Sequence, residues 1–296
     1  DQPTEPHRDH SYPPLPPLHN AIEFRGVSFT YPGAHQAALI DINLTIHKGQ
    51  KVAFVGPNGS GKTTCVGLLE RFFECSAGQI LIDDHDTARH SIVSLRDHIS
   101  LVTQDAVVFA LSAFENIAYG LPRATKTQVQ DAARKAHAHE FIERLPEGYD
   151  TVLGEHGATL SGGEKQRLAL ARAILRDAPI FVFDEANSQI DVASASKIRN
   201  ATTEFLAGRT SIVIAHRINT VTDADQIAVF DQGRLVDAGR HDALLDRCEL
   251  ARTLFHTHAP VQEALTRRGE YHAPSFVTTP RDQGQHHAPV PHPLLS

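Results

Sequence analysis

Gly56-Pro57-Asn58-Gly59-Ser60-Gly61-Lys62-Thr63 is the stretch that decides the fold. It fits the spacing G-x-x-x-x-G-K-[ST], follows the apolar run Val52-Ala53-Phe54-Val55 and opens a helical pattern that continues through Leu68 and Leu69. Strand, glycine-rich turn and helix in that order bring successive backbone N–H groups to a helix N-terminus, a ready site for phosphate oxygens. Lys62 adds a mobile positive charge able to reach β- and γ-phosphates, while the Thr63 hydroxyl, followed by Thr64, suits the shell of a Mg²⁺ ion. A glycine-rich turn by itself would be only a tight turn. Here every motif position is filled and the strand is present, so nucleotide binding is the reading.

Further along, Ile180-Phe181-Val182-Phe183 is a buried-strand pattern ending in Asp184 and Glu185. Two adjacent carboxylates at a strand end point in different directions; one can hold Mg²⁺ and the other can polarise an attacking water. Locally the pair would serve equally well as an N-cap for the next helix, and the phosphate loop upstream is what tips the reading. Between the two lies Leu160-Ser161-Gly162-Gly163-Glu164, small residues ahead of a helical pattern through Gln166, Leu168, Leu170 and Ile174. Ser161 is a good N-cap there, and the same geometry is an anion site.

With these motifs in order, the chain resembles the nucleotide-binding domain of an ATP-binding-cassette (ABC) transporter, from about residue 22 to about residue 245. The resemblance implies an α/β fold: a P-loop NTPase (RecA-like) core with an antiparallel β subdomain and a helical signature subdomain. It implies ATP and Mg²⁺ as ligands. Tyr31 in Phe29-Thr30-Tyr31-Pro32 matches the adenine-stacking aromatic, and Gln104 in Leu101-Val102-Thr103-Gln104-Asp105 matches the Q-loop glutamine, beside Mg²⁺. Ser161, Gly162 and Gly163 match the signature, Glu185 the catalytic glutamate, Asp191 the end of the D-loop and His216 in Ile214-Ala215-His216-Arg217 the switch histidine. The implied catalytic set is Glu185, His216 and Lys62, with Thr63, Gln104 and Asp184 around the metal. Without the family, Tyr31 reads as a strand-end aromatic, and Gln104 and His216 as polar residues at sheet edges.

In the family, two such domains sandwich two ATP molecules head to tail, the signature of one meeting the γ-phosphate held by the other. The resemblance therefore implies a second ABC ATPase domain as partner, in a homodimer or a heterodimer. Two departures stand out. The D-loop reads Asn187-Ser188-Gln189-Ile190-Asp191, with amides at Asn187 and Gln189, and the signature carries Glu164 where the commonest form has Gln, a variant to which the sequence assigns nothing.

Gly148-Tyr149-Asp150-Thr151-Val152-Leu153-Gly154-Glu155-His156-Gly157 resembles the X-loop of exporters, with its glutamate at Glu155, and Phe114-Glu115-Asn116-Ile117-Ala118-Tyr119-Gly120 resembles the exporter segment after the Q-loop. The resemblance thus implies export, a transmembrane domain as partner and a place on the cytoplasmic face of a membrane. The competing class is a soluble ABC ATPase of DNA repair or translation, which would be expected to carry a coiled-coil insertion or a second cassette. A regulatory domain without turnover is a third class, against which Glu185 and His216 speak.

Composition bounds these readings. With 296 residues, 41% hydrophobic and 21% charged, the chain can bury one large core. A formal charge of -7 with no basic stripe argues against a nucleic-acid partner. Cys65, Cys75 and Cys248 are odd in number and lack metal spacing, which suits a reducing compartment; Cys65 reads as a small core-facing helix residue. No apolar run approaches the roughly 18 residues that span a bilayer. The sequence has no methionine, which reads as a piece of a longer polypeptide.

Residues 1–20, with Pro13-Pro14-Leu15-Pro16-Pro17, read as a stiff linker from a membrane domain outside the chain. Residues 21–256 read as the ATPase domain, opening with antiparallel strands around Ile22-Glu23-Phe24 and Ile42-Asn43-Leu44-Thr45-Ile46, passing through helices near residues 132–137 and 141–145, and closing with a hairpin around Asp231-Gln232-Gly233. Residues 257–296, polar and aperiodic, read as a disordered tail; the 19 histidines are scattered over the whole chain, His286 and His287 of the tail among them, and form no metal pattern.

Overall fold

The computed structural model describes residues 12–154, 160–184, 192–215 and 218–257. The strands are β1 (Ala21–Phe29), β2 (Leu39–His47), β3 (Lys51–Val55), β4 (Ala77–Ile82), β5 (His85–Asp86), β6 (Ile99–Val102), β7 (Ile180–Asp184), β8 (Thr210–Ile214), β9 (Gln226–Asp231) and β10 (Arg234–Gly239). The helices are α1 (Lys62–Leu69), α2 (Ile92–Asp97), α3 (Ala113–Ile117), α4 (Lys126–Lys135), α5 (His139–Ile142), α6 (Gly162–Arg176), α7 (Val192–Leu206), α8 (Ile218–Thr222), α9 (His241–Arg247) and α10 (Glu249–Thr257).

Two sheets result. One is antiparallel in the order β2-β1-β4-β5; the other has the order β10-β9-β3-β8-β7-β6, parallel from β9 to β6, with β10 antiparallel at its edge. Parallel strands must be covered on both faces, so their sequences read as unbroken apolar runs. Period-2 alternation shares each strand between two layers. In β7, Ile180 and Val182 join one core with Phe54, Phe230, Ile22 and Phe24, whereas Phe181 and Phe183 join another with Leu168, Ile174 and Phe141. In β9, Ala228 and Phe230 face the first core, while Ile227 and Val229 meet Leu244 and Phe255 of α9 and α10. The first core lies between the two sheets; the helical subdomain, α3 to α6, packs on the far face. The hairpin expected around Gln232 is β9–β10.

The alternation from residue 22 to residue 54 suggests one antiparallel sheet, but β3 leaves it. A turn at Gly49, φ 78°, held by Gln50 N donating to His47 O, redirects the chain so that β3 pairs with β8 and β9. The antiparallel place beside β1 goes to β4 instead. Residues 13–18 carry no helix or strand, yet they are docked rather than free. Leu15 and Leu18 are buried in the first core, Leu15 N donates to Ser94 Oγ at 2.9 Å, and the backbone N–H groups of His19, Asn20 and Ala21 all donate to the Asp83 carboxylate. An apolar residue between prolines needs no hydrogen-bonded ladder to pack, which is why composition alone reads this stretch as spacer.

Candidate functional site

The phosphate loop is held by what a side chain would displace. At Gly56, φ 149°, an added Cβ would lie 2.1 Å from the Phe230 carbonyl oxygen, and at Gly61, φ 107°, 2.6 Å from Leu39 Cδ2. Both positions are closed to other residues by backbone conformation and by contact. The β9–β10 turn clasps the loop from outside: Gly233 N donates to Ser60 O at 3.1 Å, while Ile40 N donates to Gly233 O at 2.7 Å.

Lys62 is 5% exposed and curls over its own loop, donating from Nζ to the carbonyls of Gly56 and Pro57 at 2.9 Å each and to Ser60 Oγ at 3.3 Å. Burial pulls its pKa below the ordinary lysine range, and the Asp184 carboxylate at the tip of β7 pushes it back up. Lysine and acid are thus brought to the same edge of the parallel sheet, where open α/β sheets bind ligands. Reaching a phosphate requires Lys62 to exchange its carbonyl partners for phosphate oxygens. Thr63, on the first turn of α1, is exposed. Two hard oxygen donors, Thr63 and Asp184, beside the phosphate loop fit the ligand chemistry of Mg²⁺.

Tyr31 stands over α1: its hydroxyl meets Thr64 Oγ1 at 3.0 Å. Its ring packs edge-on to Phe29 and Phe73, centroids 4.8 and 5.2 Å away, leaving the side chain 38% exposed. The sequence reading missed Phe73, whose signal is the aromatic pair Phe72-Phe73 just after α1. Gln104, after β6, is exposed, and its carbonyl accepts from Gln166 Nε2 of α6 at 3.3 Å.

Ser161 caps α6. Its N–H and hydroxyl both donate to Glu164 Oε2, at 2.9 and 2.8 Å, and Glu164 N donates back to Ser161 Oγ at 3.4 Å, a capping box. Glu164, to which the sequence assigned nothing, therefore has a structural role. The hydrogen bonds of Ser161 run to Glu164 and not to the phosphate loop, so one chain brings together Lys62, Asp184, Thr64 and Tyr31, with the signature on a separate helix. Glu155, Glu185, Asn187, Ser188, Gln189, Asp191 and His216 lie outside the described residues.

The family model described as "ABC transporter" matches residues 39–188, just over half of the chain. The chain belongs to the ABC transporter family. The fold and the phosphate-loop context are those of the family's ATPase domain, and the domain binds ATP. Among its relatives, a protein of Alkalilimnicola ehrlichii named "ATP-dependent lipid A-core flippase" is 51% identical over 247 residues, which are 83% of this chain and 42% of that protein. One of the same name from Syntrophus aciditrophicus is 48% identical over 233 residues, 79% of this chain and 38% of that protein. A solved "bacterial Atm1-family ABC exporter with ATP bound" is similar at TM-score 0.80 and 40% identity, covering 85% of this chain and 44% of the other. The ABC domain thus spans about two fifths of the length of these relatives. Nothing in these likenesses favours a DNA-repair or translation ATPase.

One more surface of the ABC domain bears on its use. A groove of about 280 Å³ between the two cores is lined by Glu70, Phe72, Arg96, Tyr119, Arg172 and Arg176, among others. Phe72 and Tyr119 are half exposed, whereas Glu70 is buried and its Oε1 has no partner among the described residues. Burial raises Glu70 to about 7, against the pull of Arg96 and Arg176. Among the described residues, no helix is long and apolar enough to cross a membrane.

Proposed function

We propose that this ABC domain hydrolyses ATP in a head-to-tail dimer and thereby powers export by a membrane domain, from the cytoplasmic face. The carrying observation is the phosphate loop itself, with Lys62 folded over its carbonyls, Asp184 at the tip of β7 acting on the lysine's charge, and Tyr31 bonded to Thr64 on α1. Adenine stacks on Tyr31, the loop N–H groups and Lys62 hold the phosphates, and Glu185 orients and polarises the attacking water, with His216 contacting the γ-phosphate. Mg²⁺, held by Thr63, Asp184 and Gln104, would neutralise charge on the β- and γ-phosphates. Ser161, Gly162 and Gly163 complete the site of the second copy.

The membrane domain docks on the face that carries Gln104, and Glu155 takes part in passing its motion to the ATP site. Support for that face comes from the exposed aromatics Phe72 and Tyr119 of the groove, which β6 lines with Leu101 and α6 with Arg172 and Arg176. The relatives named flippases point to an amphiphilic lipid as cargo.

Glu185→Gln tests this reading, since it keeps size and hydrogen bonding while removing the charge that acts on water. Turnover should collapse, Mg-ATP binding should survive and dimers should accumulate with ATP in gel filtration. Unchanged phosphate release would remove Glu185 from the chemistry.

A further inference from the structure

We propose that Glu164 is a positioning residue that withholds the Ser161 hydroxyl from the nucleotide of the second copy and so limits how readily two copies close on ATP. The proposal rests on the head-to-tail reading above. A serine hydroxyl has one proton. Here that proton goes to the Glu164 carboxylate at 2.8 Å, and the same carboxylate oxygen also takes the Ser161 N–H at 2.9 Å. The oxygen of the hydroxyl is in use as well, accepting from Glu164 N at 3.4 Å. Both donors of Ser161 are thus committed within its own helix turn, and to a charged acceptor, which binds a donor roughly twice as strongly as a neutral one.

To donate to a phosphate oxygen, Ser161 must give up that bond, and the incoming phosphate must approach a carboxylate on the first turn of α6. Both effects oppose closure. Gln166 is directed to Gln104 O and takes no part in this exchange. A glutamine at 164 would still accept the Ser161 N–H through its carbonyl, preserving the cap, but as a neutral acceptor it holds the hydroxyl less tightly and repels no phosphate.

The test is a double-mutant cycle on the whole chain, with Glu185→Gln in every sample to retain ATP. The monomer–dimer Kd is measured by sedimentation with Mg-ATP for the parent, Glu164→Gln, Ser161→Ala and the double substitution. Glu164→Gln should tighten the dimer by about fivefold for each of its two sites, the scale of one exchanged charge-assisted bond per site. With Ser161→Ala already present, the same change should tighten the dimer clearly less than in the parent, because no hydroxyl is left to release and only the repulsion is relieved. An unchanged Kd on Glu164→Gln overturns the proposal. So does an equal tightening with and without Ser161, which would leave charge alone as the cause. Absence of an ATP-dependent dimer in all four chains is a different failure, that of the head-to-tail reading itself.

Discussion

Tyr31 carries two separable contributions, a ring face and a hydroxyl. Tyr31→Ala should weaken ATP binding by about 1–3 kcal/mol, the scale of base–aromatic stacking. Tyr31→Phe keeps the ring and loses only the 3.0 Å contact with Thr64, so fluorescent-nucleotide titration should find it within about 1 kcal/mol of the parent. Equal losses for both would say that the hydroxyl, not the face, matters. Glu70 gives a pH test. Its folded pKa is raised from 4.5 to about 7, chiefly by burial, so the folded chain holds a proton that the unfolded chain has already released. Stability from this group is present below about pH 4.5 and is lost as pH rises to about 7. Glu70→Gln removes the loss. Urea unfolding should find the variant more stable than the parent at pH 8, by up to about 3 kcal/mol, with the gap closing toward pH 5. A gap independent of pH would rule out the titration.

The element that joins the two halves of the site is α6. Besides Gln166, it sends Arg172 into the segment after the Q-loop. The guanidinium donates to Asn116 O at 2.8 Å, Val107 O at 3.1 Å and Asn116 Oδ1 at 3.3 Å, and it lies over the Phe109 ring at 5.3 Å. Asn116, fully buried, passes the grip on to the carbonyls of Phe109, Leu111 and Ser112. A lysine has the charge but neither the fork nor the plane. Arg172→Lys should therefore give up most of these bonds, the part-buried one to Asn116 O among them, and cost about 2–3 kcal/mol in stability. Hydrogen exchange should reveal the loss first in residues 103–116, ahead of the sheet; uniform acceleration across the domain would show instead that Arg172 supports the whole core. Such local weakening would separate Gln104 from Ser161 mechanically while leaving Lys62 in place.

At the scale of the molecule, the question is whether two incomplete chains make one complete site. A Ser161→Arg chain should keep its own phosphate loop and spoil that of its partner, and a Lys62→Ala chain should do the reverse. Mixing them leaves one composite site with both good halves, so partial recovery of ATPase activity is the expected result. No recovery in stable mixed dimers would reduce Ser161 to a helix cap.

Much of this was legible along the chain because the physics is local. A glycine-rich turn between a strand and a helix needs its residues in sequence, so Gly56 to Thr64 identified the loop; the apolar run ending at Phe183 identified a buried strand, and Ser161 marked the start of α6. Other features depend on residues far apart in sequence meeting in space. Sequence could not tell that β3 abandons the sheet of β1 and β2, that Leu15 and Leu18 are core, that Phe73 backs Tyr31, or that Arg172 grips Asn116. Nor could it place Glu70, four residues past Val66 on an ordinary helix end, in the seam between two cores, where burial raises its pKa against the pull of Arg96 and Arg176. Periodicity and motif spacing report what a residue's neighbours along the chain require; burial and partnership across the sheets are set by packing, and only the tertiary structure decided them.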